Sequence, residues 1–134
     1  AGGGDTHRFN LSDSVMIKDN HIKLMGIEAA IEAAKKTSFT RKIEVEVESA
    51  ENAVLAARLG ADIIMLDNMQ PETIQKTLSI LKETGLRDSI IVEASGGISQ
   101  KNLESYAKTE VDVISMGSLI HRSKWIDMSL EIVR

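Results

Sequence analysis

Six consecutive residues, Asp62-Ile63-Ile64-Met65-Leu66-Asp67, constrain the fold more than any other feature of the chain. A strand with apolar side chains on both faces must be covered on both faces, as happens where helices flank a parallel sheet. The same kind of run recurs at residues 14–18, 43–47, 89–94 and 111–116, each reading as a strand. Between them the apolar period changes to that of a helix. Residues 24–36 place Ile27, Ala30, Ile31 and Ala34 on one face, and residues 51–59 follow Ser49 as N-cap and stop at Gly60. Pro71 opens a helix that buries Ile74, Thr77, Leu78 and Leu81 and ends at Gly85. Ser99 is expected to cap a short helix carrying Leu103, Tyr106 and Ala107, and a weaker helix starts near Trp125. Strand–helix alternation of this kind predicts right-handed parallel crossovers.

Residues 60–67 align with residues 110–117: an Asp, then two apolar residues, then a polar residue or Gly at the end. Repeated units of this form belong to β/α barrels, although an open doubly wound sheet stays open as a reading. No Gly-x-Gly-x-x-Gly follows a strand, as a dinucleotide fold would want. Five strands fall short of the eight of a standard barrel, so the expectation is a partial, incomplete α/β barrel of parallel strands with outer helices. The opening Ala1-Gly2-Gly3-Gly4 has no cap, strand or start Met ahead of it. Residues 1–134 therefore read as the C-terminal part of a longer protein, lacking the first barrel strands.

Composition narrows the function classes. The chain has 134 residues, no Cys, a net charge of −4 and 3% aromatic residues. Disulfides, thiolate metal sites and cysteine nucleophiles are excluded, and neither the charge nor the aromatics suit nucleic acid. No apolar run approaches the ~18 residues of a membrane span, and a cytoplasmic protein is expected.

In β/α barrels chemistry collects where strands end. Those positions here hold Lys18, Glu46, Asp67, Glu93 with Ser95-Gly96-Gly97, and Gly117 with Ser118. Glu44, Glu46 and Glu48 share one face of their strand, and carboxylates on an internal strand need a cation, a metal or protons. Two carboxylates on neighbouring strand ends, without His or Cys, suit Mg²⁺ that keeps its waters and binds through substrate phosphates. Paired glycines at the mouth of a helix present amides to an anion. His21 reads as a residue fixing its loop, and Met16, Met25, Met65, Met69 and Met116 as packing residues. Two chemistries fit such a rim. One is enolate chemistry with Lys18 as base and Glu46, Asp67 and Glu93 as metal ligands; the other is group transfer from a diphosphate ester.

Several motifs then converge: Gly2-Gly3-Gly4 with His7-Arg8, Ile17-Lys18-Asp19-Asn20-His21, Glu44-Val45-Glu46-Val47, Met65-Leu66-Asp67-Asn68-Met69, Glu93-Ala94-Ser95-Gly96-Gly97-Ile98 and Ile114-Ser115-Met116-Gly117. Their order resembles that of quinolinate phosphoribosyltransferases, across nearly the whole chain. The resemblance implies a barrel preceded by an N-terminal domain. The implied activity is phosphoribosyl transfer to quinolinate with decarboxylation, giving nicotinate mononucleotide. It implies that His7, Arg8 and Lys18 bind the quinolinate carboxylates. Glu46 and Asp67 would bind the ribose hydroxyls and Mg²⁺ of phosphoribosyl diphosphate, with Lys18, Glu46 and Asp67 as the catalytic group. Ser95, Gly96, Gly97, Met116, Gly117, Ser118 and His121 would hold phosphate. A homodimer or higher homo-oligomer is implied too, a neighbouring subunit completing each site. A related phosphoribosyltransferase-like protein of molybdenum metabolism, and a non-catalytic phosphate-binding module, remain as other readings.

Overall fold

The computed structural model describes residues 3–121. Strands β1 (Val15–Ile17), β2 (Ile43–Val47), β3 (Ile63–Asp67), β4 (Ile91–Ser95) and β5 (Val113–Ile114) form one sheet in the order β1-β2-β3-β4-β5. Every neighbouring pair is parallel. Helices α1 (Asp19–Met25), α2 (Ile27–Thr37), α3 (Ala50–Arg58), α4 (Pro71–Glu83), α5 (Leu103–Ala107) and α6 (Ser118–His121) make the connections, with a 3₁₀ turn at Arg87–Ser89. A doubly wound sheet reverses its strand order at a switch point. Here each strand lies beside its predecessor, as in the wall of an incomplete α/β barrel.

The registers sort the side chains into two faces. Val45, Ile64 and Val92 align across the sheet and are fully buried, with Ile31, Ala53, Ala56, Ile74 and Leu81 of the helices completing that core. The opposite face carries Met16 beside Glu44, then Glu46 beside Met65 beside Glu93. One face is thus sealed by helices, and the other carries carboxylates. Ser49 caps α3 as the sequence predicts, its Oγ accepting from the Asn52 amide at 3.2 Å.

Four expectations need correction. The helix foreseen over residues 24–36 is two helices, broken at Gly26, whose φ of +80° is a left-handed conformation that glycine takes without a Cβ penalty. The first of the two begins at Asp19, so His21 lies in a helix rather than a loop; its Nδ1 accepts from the Lys18 amide at 3.0 Å, which makes it a cap. Ser99 does not cap α5 with its side chain. Asn102 stands at the N-cap, and its Oδ1 accepts from the Ser99 amide at 2.7 Å. Strand β5 spans two residues of the six foreseen, and the helix expected near Trp125 lies outside the described residues.

The internal repeat has a structural basis. The carboxylate of Asp62 accepts from the Ile43 amide at 2.8 Å, and that of Asp112 accepts from the Val92 amide at 2.7 Å. Each Asp clamps the start of the preceding strand, at the end of the sheet away from Asp67 and Ser95. Two residues earlier in each unit, Gly60 has φ +84° and Glu110 has φ +66°. A glutamate in that conformation is strained by its Cβ. Glu110→Gly is expected to raise stability by about 0.5–1 kcal/mol, because relief of that strain exceeds the added freedom of the unfolded chain. Urea denaturation checks it; a loss of stability contradicts it.

Candidate active site

The three glutamates of the β2 segment grade from sheet to rim. Glu44 is buried, Glu46 is half-buried, and Glu48, just beyond the strand, is exposed. Glu46 is the last residue but one of β2, and Asp67 ends the neighbouring β3 two positions further out in register. Burial first, then the negative charge of Asp67, pushes the Glu46 carboxyl above its ordinary pKa, while Lys18 pulls it back. Lys18 follows Ile17, which pairs with Val45, so the strand registers bring Lys18, Glu46 and Asp67 to the same end of the sheet. Asp67 does not cap α4, whose N-cap is Gln70; its Oδ2 accepts from Asn68 Nδ2 at 2.6 Å.

A raised pKa for a folded acid means that its contribution to stability is present below the ordinary pKa and is lost as pH rises through the raised one. Glu46→Gln is accordingly expected to raise Tm near pH 7, with the gain shrinking as pH falls toward 4. Thermal melts across that range check it, and a gain independent of pH contradicts it.

Beside this pair, β4 ends in a glycine corner. Gly96 and Gly97 have φ of +89° and +66°. The amides of Gly96, Gly97 and Ile98 have no hydrogen-bond acceptor among the described residues. They open on a hollow of about 370 Å³ lined by Ser95, Gly96, Gly97, Ile98, Ser115, Gly117 and Ser118. The corner is buttressed from both sides. Asn102 Nδ2 donates to the Gly97 carbonyl at 3.2 Å, and the Asn68 amide donates to the Ser95 carbonyl at 2.9 Å. Free amides beside hydroxyls form a concavity suited to phosphate.

A family model described as "Quinolinate phosphoribosyl transferase, C-terminal domain" matches residues 1–131. The chain belongs to this family. A probable carboxylating nicotinate-nucleotide pyrophosphorylase of Methanothermobacter thermautotrophicus is 59% identical over 133 residues, 98% of this chain and 48% of that protein. The human carboxylating nicotinate-nucleotide pyrophosphorylase is 44% identical over 133 residues, 98% of this chain and 44% of its own length. The crystal structure of NadC from Streptococcus pyogenes superposes with a TM-score of 0.82 at 40% identity, over 97% of this chain and 45% of that one. The chain thus spans about half the length of the relatives it matches.

For a quinolinate phosphoribosyltransferase domain, the residues implied by resemblance fall into three places. Glu46, Asp67 and Lys18 gather at the rim. Ser95, Gly96, Gly97, Gly117 and Ser118 line the hollow, with Ser118 Oγ donating to the Ile98 carbonyl at 3.0 Å. His7 and Arg8 cross the carboxylate face, where His7 meets Glu44 and Glu93 and an Arg8 guanidinium nitrogen approaches Met16 Sδ at 3.6 Å. Met116 is not among the residues lining the hollow; it packs against the core. The side chain of His121 lies outside the described residues.

Glu93 departs from its expected place. It sits opposite Met65, level with Glu46 across β3, two residues before the end of its own strand at Ser95, and is 3% exposed. Among the described residues, Glu46, Asp67 and Glu93, the metal trio required for enolate chemistry, do not bring three ligand atoms within mutual reach. Among the described residues, the one group of three ligand-type side chains within mutual reach is His7, Glu44 and Glu93. Asn68, named in the sequence only as part of a motif, and Asn102, not singled out there, hold the rim from behind. Asn68 has a φ of +53°, a conformation that asparagine tolerates better than most residues; an Asn directly after a strand-ending Asp was the available signal.

Proposed function

We propose that this chain supplies the catalytic barrel of a quinolinate phosphoribosyltransferase, which joins quinolinate to phosphoribosyl diphosphate and releases diphosphate and CO₂. The observation that carries this reading is the adjacency of an acidic strand-end pair, Glu46 and Asp67, to a hollow lined by free amides. A 5-phosphate fits the amides of Gly96, Gly97 and Ile98, and the ribose hydroxyls fit the carboxylates.

Mg²⁺ fits the rim, because Glu46 and Asp67 offer hard oxygens and too few ligands for a closed protein site, so substrate oxygens and water complete the shell. When bound it neutralises the departing diphosphate. The pyridine nitrogen forms its bond to the anomeric carbon as the bond to the diphosphate oxygen breaks, and that electron pair leaves with diphosphate. Positive charge builds on the ribose in between, where Glu46 and Asp67 stabilise it. The product pyridinium then accepts the electron pair of the breaking carbon–carboxylate bond, CO₂ departs, and a proton takes its place on the ring. His7, Arg8 and Lys18 are the cations for the two quinolinate carboxylates. No helix among the described residues is long and apolar enough to cross a membrane, and we place the enzyme in the cytoplasm as a homo-oligomer.

The test is quinolinate-dependent release of diphosphate and CO₂ by the intact protein with Mg²⁺ present. Equal turnover of nicotinate, which has one carboxylate, would favour a different member of the family and overturn the assignment of substrate.

A further inference from the structure

Two buried glutamates that take no part in the chemistry above converge on one imidazole. Glu44 of β2 and Glu93 of β4 are 1% and 3% exposed. Glu44 Oε1 lies 2.9 Å and Glu93 Oε2 lies 3.2 Å from the same atom, Nε2 of His7. The second oxygen of Glu93, Oε1, is buried without any hydrogen-bond partner among the described residues. No Lys or Arg among the described residues forms a salt bridge with either carboxylate. Burying two carboxylates costs several kcal/mol per ion unless it is offset. An apolar side chain would pin the segment before β1 to the sheet at lower cost.

What the arrangement does achieve is chemical. With both glutamates as carboxylates, two acceptors at Nε2 require the ring proton there, and the hydrogen bond made by one imidazole nitrogen sets the role of the other. Nδ1 makes no hydrogen bond among the described residues, and about a third of the side chain, 32%, stays exposed. A carboxylate behind a functional histidine fixes both its tautomer and its direction. Here there are two, from strands on either side of β3, and Arg8 is the other charged group close enough to act on Glu44.

We propose that Glu44 and Glu93 are positioning residues: they hold His7 with a proton on Nε2 and aim Nδ1 at the pyridine substrate, so that the doubly protonated ring donates its Nδ1–H to a substrate carboxylate. Their negative charge also offsets that of an imidazolium when an anion sits at Nδ1. This rests on the reading of His7 as a substrate cation, and it adds the device that makes His7 one. Both side chains are needed, because either alone leaves the ring free to pivot.

The experiment uses the intact protein with Glu44→Gln, Glu93→Gln and His7→Ala. Each glutamine variant is expected to raise KM for quinolinate about tenfold, with kcat and KM for phosphoribosyl diphosphate within about threefold of the parent. Added to His7→Ala, neither should cause further loss, as expected for groups acting through one residue. Nitrogen–proton correlation spectra of the imidazoles should show Nε2 protonated in the parent and mixed tautomers in the variants. A merely structural role would lower folded yield and all kinetic constants together, and would add to His7→Ala; that result overturns the proposal. Stoichiometric Mn²⁺ binding abolished by both glutamine variants would also overturn it, assigning the cluster to a metal. If the parent does not use quinolinate, the functional reading fails. The tautomer comparison still decides the clamp, and unchanged Nε2 protonation in both variants would refute it.

Discussion

Asp67→Ala in the intact protein is expected to lower kcat/KM for phosphoribosyl diphosphate by a factor of about 10²–10³, the scale on which enzymes lose rate when a group that stabilises transition-state charge is removed. Asp67 ends β3, half-buried, with Glu46 close enough on β2 for the two negative charges to disfavour each other. That mutual repulsion is the state a divalent cation relieves, so the loss should fall mainly on the Mg²⁺-dependent part of binding. Titration of phosphoribosyl diphosphate with and without Mg²⁺ separates the two parts. Asp67→Asn, which keeps the shape and removes the charge, should lose nearly as much. An unchanged Mg²⁺ dependence in either variant would remove Asp67 from the site.

Gly96→Ala is expected to be the most damaging single-methyl change at the rim. A Cβ at that position would stand 2.6 Å from Asn68 Cγ and 2.8 Å from the Asn68 backbone nitrogen, and the φ of +89° is itself unfavourable for alanine. The side chain of Asn68 could swing aside, but its backbone nitrogen is held by the hydrogen bond to the Ser95 carbonyl. The β3 and β4 ends must therefore separate, at a cost of about 2–4 kcal/mol on the scale of strained backbone and overpacking together. The same movement would displace the free amides of Gly96 and Gly97 from the hollow. Phosphate affinity should fall at least tenfold while the His7 cluster is preserved, which imidazole resonances and phosphate titration can read side by side. Gly97→Ala is the control, since its Cβ would meet nothing within 4 Å; it should pay only the cost of its φ of +66° and keep most of the affinity.

The sheet was legible because its strands carry apolar residues on both faces. Residues 43–47 are found as a strand over the range expected, and the alternation of Glu44, Glu46 and Glu48 with valines correctly assigns a carboxylate face. Periodicity also placed α3 and α4, whose caps and stops are local chemistry. The break at Gly26 was hidden because residues on either side keep helical spacing; one glycine at positive φ redirects the chain without disturbing that pattern. At the site, Glu46, Asp67 and the glycine corner could be read because they sit at strand ends, where sequence position fixes spatial position. Glu93 could not, because the strand runs one residue further than its apolar run, to Ser95. The grip of Glu44 and Glu93 on His7 was beyond sequence reasoning altogether, since it joins residues 37 and 86 positions apart through the register of three strands.

The most direct test of the rim is a crystal structure of the intact protein soaked with Mg²⁺ and phosphoribosyl diphosphate. The predicted result is ligand density with the 5-phosphate on the amides of Gly96, Gly97 and Ile98 and the metal and ribose against Glu46 and Asp67. Density confined to another part of the molecule, with Glu46 and Asp67 bare, would contradict the account.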